Sequence, residues 1–288
     1  MTNKMKLPEW LHEEILKDAS FGVPEVSDRD MACLVLPDLD YEAQLVAITD
    51  VLRRHGEVDT RTIAQIKELE DFARKSSGLR NEQAVNDWVE LLNRSIYQDA
   101  AHSMAALGML VPLIESLFYQ AFQGIRAHYY GVDVIPTGSA RSGMAKADDF
   151  WDCHLLFNPT KSKNKKELVP GIMQLAEAIG LTPHLPGDLL PTLKALIEYR
   201  NKMFHSGFEW PAKECAKFAK RMGDEGWDAW FSSAKRDGVP FIFYMTDQLI
   251  NRTFELVHQL LEGLGAYCRT KVRIEEEIPT EMTYFPTA

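Results

Sequence analysis

Three residues close together in the chain carry the side chains that cleavage of a phosphodiester requires. Arg200 is followed directly by Asn201, and His205 comes five residues after Arg200. An arginine offers a fork of donors to phosphate oxygens and keeps its charge. The imidazole of a histidine exchanges protons near neutral pH and serves as a general base or acid. Asn201 could orient His205 or donate to a phosphate oxygen, so these three residues are the candidate catalytic residues.

The candidate residues fall on an amphipathic stretch. Apolar residues recur there at three- and four-residue spacing, which predicts a helix over Asp188–His205. Its predicted buried face is formed by Leu189, Leu193, Leu196, Ile197, Met203 and Phe204. Arg200 projects into the middle of the apolar face, where an unpaired guanidinium is costly, so it must be paired or line an interface or cleft. Asn201 and His205, at i and i+4, share one edge of the helix. Arg200 and His205 converge only if the arginine side chain reaches sideways or the helix loosens before Gly207.

The string from Arg200 to His205 resembles the R-N-x-x-x-H form of the motif of the HEPN superfamily. Upstream, the apolar segment around Glu115 resembles the first long helix of that family, in which an acidic residue often faces the motif. A predicted helix over Thr246–Thr270 would close the bundle. The resemblance covers roughly residues 96–271 and implies an all-α fold, a HEPN-like helical bundle with an α-helical N-terminal extension.

The resemblance also implies an activity. HEPN enzymes are metal-independent endoribonucleases that cleave RNA through attack of the 2′-hydroxyl and leave a 2′,3′-cyclic phosphate. In that reaction Arg200 stabilises the phosphorane, His205 transfers protons and Asn201 assists, while Glu115 would hold Arg200 in position. Two motifs meet at a homodimer interface in such enzymes, so a homodimer is expected. Their use in defence and toxin systems adds an antitoxin or a regulatory protein to the expected partners.

Two alternatives stay open at this point. Arg200 could pair with Glu115 in the core, and His205 could cap the C-terminus of its helix, where a positive charge is favourable. Many HEPN-like domains also retain the motif without catalysis. The chain could then be a non-catalytic nucleotide-binding or dimerisation module with the same fold.

Charge is distributed unevenly along the chain. The net charge of −10 excludes a protein that coats nucleic acid in general. However, Asp38–Asp99 carries −5, whereas Lys161–Arg221 carries +5. Four cations in the second region share one face of a predicted helix, which favours contact with phosphates, although a solvated helix face is the alternative. The candidate RNA-binding residues are Lys202, Lys213, Lys217, Lys220 and Arg221.

No metal site or cofactor is expected. Asp152, Cys153 and His154 are possible ligands, but on a helix three adjacent side chains would point in different directions. No second pair of ligands has suitable spacing. The four cysteines stand far apart and fit neither a zinc site nor a disulfide framework, which favours buried, reduced thiols.

The remaining pattern is predominantly helical, because alternating strand patterns are scarce. A boundary near Arg94 divides a helical N-terminal region of unknown role, residues 1–95, from the bundle, with an extended acidic tail over residues 272–288; one continuous domain is the alternative. The predicted helices are Leu7–Ala19, Tyr41–His55, a segment from Asp59 or Thr60 to Ser76, Glu82–Tyr130 with a kink or break at Pro112, Asp148–Phe157, Glu167–Ile179, Asp188–His205, Pro211–Met222, Asp224–Arg236 and Thr246–Thr270. An irregular connection is predicted over Gly22–Pro37, and a lysine-rich turn over Lys161–Lys166.

The longest apolar run is too short to cross a bilayer. Met104–Ile114 has 11 residues and includes a glycine and a proline. The N-terminus has two lysines but no apolar segment behind them, so no signal peptide is predicted. We therefore expect a cytoplasmic protein with no membrane contact.

Overall fold

A computed structural model of the chain describes the backbone of residues 26–276 and the side chains of residues 26–271. The predicted helix Leu7–Ala19 lies outside the described residues, as does most of the predicted tail. Between residues 26 and 276 the chain is mostly helical, with eight α-helices and four β-strands. The prediction of an all-α fold is therefore correct for most of the chain and wrong for two small β-hairpins.

A short helix begins the described chain. Helix α1 (Asp28–Ala32) is capped by the hydroxyl of Ser27, and a 3-10 turn follows it at Cys33–Val35. Arg269, near the other end of the described chain, holds α1 in place through an ion pair of 2.9 Å with Asp28. The sequence predicted an irregular connection over Gly22–Pro37. That prediction missed the capping box, which satisfies the first N–H groups of α1.

Two long antiparallel helices form a hairpin that we call the arm. Helix α2 (Tyr41–Lys75) and helix α3 (Leu79–Ile125) pack along their length. The predicted break at Gly56 is wrong, because α2 runs through it. Buried α2 residues continue on both sides of Gly56, and their packing against α3 outweighs the cost of one glycine, about 1 kcal/mol. These buried residues are Tyr41, Leu45, Leu52, Thr62 and Ala73.

Replacing Gly56 with alanine is expected to raise the free energy of unfolding by about 0.5–1 kcal/mol. A Cβ atom at this position meets nothing within 4 Å, so the helix gains propensity without a clash. Urea titration followed by circular dichroism measures the change. Gly78→Ala is the matched control: its φ of +65° strains any other residue, so that variant should lose stability. A loss of stability in Gly56→Ala would contradict the packing described for α2.

Helix α3 is continuous where the sequence predicted interruptions. Pro112 lies on its exposed side and neither ends nor divides it. The helix also runs through residues 94–96, so the N-terminal region and the bundle share it. The stretch Leu79–Tyr130 is long and apolar enough to cross a membrane, but 56% of its most apolar window is buried inside the protein. That burial is typical of the central helix of a soluble protein.

The first β-hairpin lies where the sequence predicted a helix and a turn. Helix α4 (Ala147–Trp151) is short, and strand β1 (Leu155–Asn158) pairs antiparallel with strand β2 (Lys163–Lys166). The predicted helix Asp148–Phe157 therefore ends at Trp151. All four residues of β2 are exposed, so this lysine-rich strand lacks the alternation of apolar and polar residues by which a strand is predicted.

The second β-hairpin replaces part of another predicted helix. Strand β3 (Phe231–Arg236) pairs antiparallel with strand β4 (Val239–Met245). Asp237 and Gly238 join them, both with positive φ, as in the tight turns of β-hairpins. The prediction of a helix over Asp224–Arg236 is therefore wrong, and the Asp-Gly pair was the overlooked signal.

The other helices match their predicted positions closely. They are α5 (Leu168–Ile179), α6 (Leu189–Ser206), α7 (Ala212–Glu225) and α8 (Asp247–Glu276). Helix α8 continues past Lys271, so the predicted extended tail does not begin there. The core is formed around the second half of α3 by large side chains from all these elements. Its largest fully buried members include Phe118, Phe122, Trp151, Tyr199, Trp227 and Tyr267.

Candidate functional site

Helix α6 presents the three candidate catalytic residues near its C-terminus. It ends at Gly207, whose positive φ of 72° turns the chain away. Tyr199 anchors the helix from its buried face by donating a hydrogen bond of 2.7 Å to the carbonyl of Phe243 in β4. Phe204, predicted to lie in the core, is instead 54% exposed beside Gly108 of α3. The buried face is formed by Leu189, Thr192, Leu193, Ala195, Leu196, Tyr199 and Met203.

The guanidinium of Arg200 is directed toward the outer edge of α6. The residue is half-buried, and within the described chain it forms no ion pair with a carboxylate. Its Nη1 lies 3.4 Å from Asn201 Oδ1, and its Cζ lies 6.0 Å from the centre of the Phe204 ring. Asn201 and His205 are exposed. By their spacing Asn201 and His205 share one edge of α6, and the guanidinium of Arg200 reaches that edge at Asn201.

Glu115 does not pair with Arg200 as expected. No ion pair joins them, although both residues are described. Glu115 instead lines a small cavity with Leu193 and Ile197, on the part of α6 that precedes Arg200. A positioning role of Glu115 toward Arg200 therefore has no support from a contact, and the alternative in which the pair is a core ion pair has none either.

Three of the five predicted RNA-binding residues are engaged by carboxylates. Glu214 accepts from Lys202 and, at 2.6 Å, from Lys217. These hydrogen bonds lower the pKa of Glu214 to about 2. Arg221 pairs with Glu198 at 3.1 Å and with Glu225 at 3.4 Å. The helical spacing of Glu214 and Lys217, i and i+3, was a readable signal of this neutralisation.

Lys213 and Lys220 keep their full charge available. Both are exposed, and neither forms an ion pair in the described part of the chain. The basic face of α7 is therefore weaker than its sequence indicated. Its ion pairs are exposed, so phosphates could compete for the same cations at a modest cost.

A second group of titratable residues lies about midway along the arm. The rings of His55 and His102 are stacked with centres 3.9 Å apart. Burial lowers the pKa of His102 to about 4, and His55 adds to that effect. Burial raises the pKa of Asp99 to about 6, and the nearby Asp59 and Asp247 carboxylates raise it further. The carboxylates of Asp99, Asp59 and Asp247 repel one another, because no described lysine or arginine pairs with them.

Replacing Asp99 with asparagine is expected to raise the free energy of unfolding at pH 7 by about 1 kcal/mol, allowing for screening of a half-buried group. The folded pKa lies above the unfolded value of 3.8. Stability is therefore lost as the pH rises from about 4 to about 6, and the full cost persists above that range. Urea titrations at pH 4 and pH 7 test this: the gain should vanish at pH 4. Asp87→Asn, exposed on the same helix, is the control; a gain that is equal at both pH values would refute the repulsion.

The structure brings together three side chains at which the sequence predicted no metal site. Asp152, Cys153 and His154 lie in the turn after α4, not on a helix, and their ligand atoms converge within 4.8 Å. The reason given for excluding a metal there is therefore wrong. Among the free cysteines, Cys33 is exposed, contrary to prediction, and the other three are buried.

Comparison with known proteins returns no relatives. No protein-family model, no curated protein and no solved structure matches this chain. The assignment of a function therefore depends on the chemistry and geometry of the chain itself.

Proposed function

We propose that the protein is a metal-independent endoribonuclease of the HEPN type, acting in the cytoplasm as a defence or toxin-type effector. Arg200 binds the scissile phosphate and stabilises the charge of the phosphorane. His205 moves the proton of the 2′-hydroxyl or of the leaving oxygen, and Asn201 orients the imidazole. The attack of the 2′-oxygen breaks the bond to the 5′-oxygen and yields a cyclic phosphate.

The observation that carries this proposal is the state of Arg200. A half-buried arginine is normally matched by a carboxylate, because an unmatched charge is costly to desolvate. Arg200 has no such match in the described chain, and its guanidinium meets the side chain of exposed Asn201. A phosphate would supply the missing anion and would meet the imidazole on the same edge.

In the proposed homodimer, a second copy of the chain completes the site. Phe204 exposes an apolar ring next to Gly108, where a partner helix can approach closely. Burial of such rings stabilises interfaces. A two-fold axis here would place two Arg200 and two His205 side chains around one cleft, with Lys213 and Lys220 reaching the RNA backbone.

A second candidate is a non-catalytic nucleotide-binding or dimerisation module. The ion pairs of Lys202, Lys217 and Arg221 favour it, because they reduce the positive field that long RNA requires. In that function Arg200 and Phe204 would hold a single nucleotide or a second copy. An antitoxin or regulatory partner fits either candidate, and no membrane is involved in either.

The test is incubation of the purified full chain with mixed RNA in the presence of EDTA. Wild type is expected to produce fragments that end in a 2′,3′-cyclic phosphate. Arg200→Ala and His205→Ala are expected to produce none, whereas the surface controls Arg74→Ala and His128→Ala should cleave like wild type. Equal cleavage by all variants, or none by wild type while the protein is dimeric and binds nucleotide, would exclude the nuclease and favour the module.

A further inference from the structure

The turn after α4 gathers three kinds of metal-binding side chain. The Asp152 carboxylate, the Cys153 thiol and the His154 imidazole offer ligand atoms that all lie within 4.8 Å of one another. His154 Nδ1 is 2.9 Å from Asp152 Oδ1 and 3.9 Å from Cys153 Sγ. In a tetrahedral zinc site, with bond lengths of about 2.0–2.3 Å, neighbouring ligand atoms are about 3.3–3.7 Å apart. The observed distances bracket those values, so a small rotation of the side chains produces the required geometry.

Helix α3, distant in sequence, borders this turn. Tyr119 of α3 has its ring centre 6.2 Å from that of His154. Three ligands of zinc type, one sulfur, one nitrogen and one carboxylate, thus lie together in the turn. Three protein ligands with a fourth position open to water are a common form of zinc site.

The backbone of this turn is held rigidly by groups that are not ligands. Arg141 donates to the carbonyl of Asp152 and, at 2.6 Å, to that of Leu155, on the two sides of Cys153. Helix α5 packs directly against the turn, since a Cβ atom at Gly171 would lie 2.3 Å from the Cys153 carbonyl oxygen. Such outer support is what orients the ligands of protein metal sites.

Access to the ligands is one-sided. Cys153 is fully buried, whereas the side chains of His154 and Asp152 are 46% and 37% exposed. An ion would approach from the exposed side of His154, because the Cys153 sulfur itself has no exposed surface. Sulfur with imidazole selects a borderline ion such as zinc over magnesium or calcium.

We infer that Asp152, Cys153 and His154 form a binding site for a zinc-like divalent transition-metal ion. The site is separate from Arg200 and His205 and does not depend on the proposed nuclease activity. Binding converts the Cys153 thiol to a thiolate, so one proton passes to the solvent for each ion bound. The neutral ring of His154 coordinates through Nδ1 with its proton on Nε2. Affinity therefore falls as the pH falls.

The test is titration of the untagged full chain with Co²⁺, which substitutes for zinc and reports its ligands by absorption. All proteins carry Cys33→Ser, because that exposed thiol could bind cobalt by itself. One equivalent of Co²⁺ should give the intense visible bands of tetrahedral coordination and the near-ultraviolet band of a sulfur–cobalt bond. One equivalent of Zn²⁺ should remove both and raise the thermal midpoint.

Variants at the ligands and at matched positions complete the test. Cys153→Ser should lose the sulfur band, and the exposed His154→Ala should lose the tetrahedral spectrum without a change in folding. Asp152→Asn should weaken binding by at least about 10-fold. Cys215→Ser, at another buried cysteine, should behave like the parent protein. Absence of the sulfur band in the parent, its survival in Cys153→Ser, or only weak octahedral spectra would overturn the inference.

Discussion

Replacing Arg141 with alanine is expected to lower the free energy of unfolding by about 3–5 kcal/mol. Arg141 is fully buried, yet its guanidinium meets backbone carbonyls rather than a carboxylate. It donates to Phe150 at 2.6 Å, to Leu155 at 2.6 Å, to Asp149 at 3.2 Å and to Asp152. Alanine would remove the guanidinium donors from all four carbonyls. Those of Asp149 and Asp152 keep one backbone donor each, and every buried carbonyl left unpaired costs about 1–3 kcal/mol before water re-enters.

Urea titration followed by tryptophan fluorescence measures this loss. Arg141→Lys should lose about half as much, because an ammonium group has three donors and cannot reach the same spread of carbonyls. Arg252→Ala is the control, since Arg252 is partly exposed and pairs with the Asp188 carboxylate instead of buried carbonyls; its loss should be about 1 kcal/mol. A loss in Arg141→Ala no larger than in the control would mean that the carbonyls find water easily, and the turn after α4 would not be rigid.

Co-expression of Arg200→Ala and His205→Ala chains is expected to restore RNA cleavage. Each variant alone should be slower than wild type by about 10²–10⁴-fold, the range for loss of a proton-transfer group or of phosphate stabilisation. About half of the dimers in the mixture contain one chain of each kind. Such a dimer retains one Arg200 and one His205 in its shared cleft, so activity should return to at most about half of wild type.

The heterodimer is purified through a different tag on each chain and assayed on the same RNA. Two copies of Arg200→Ala, tagged in the same way, provide the control and should stay inactive. If the purified heterodimer is as inactive as that control, arginine and histidine do not cooperate across the two-fold axis. If Phe204→Asp yields active monomers, the dimer interface is not part of the site.

Several features of the candidate site can be predicted from the sequence. The periodicity of α6 predicts its bounds closely and places most of its buried face correctly, because helical burial repeats along one chain segment. Phe204 is the exception: its ring is exposed because α3 presents only Gly108 there. The ion pairs within α7 are also legible, since they join residues one turn apart.

Contacts between distant segments were not predictable. The turn after α4 borders α3 at Tyr119, one turn beyond Glu115, and the expected ion pair of Glu115 with Arg200 does not form. Lys202 is neutralised by Glu214 across the connection from α6 to α7. These partners depend on how helices are arranged, and the spacing of residues along the chain carries no information about that.

Local sequence by itself determined that this protein is mostly helical, where most of its helices lie, and that Arg200, Asn201 and His205 end one of them. The tertiary structure alone decided that the arm is two unbroken helices, that two hairpins replace predicted helices and turns, and that Asp152, Cys153 and His154 converge. The physical reason is the same in each case. Intrinsic propensities amount to about 1 kcal/mol or less per residue, whereas burial against a distant segment contributes several times more.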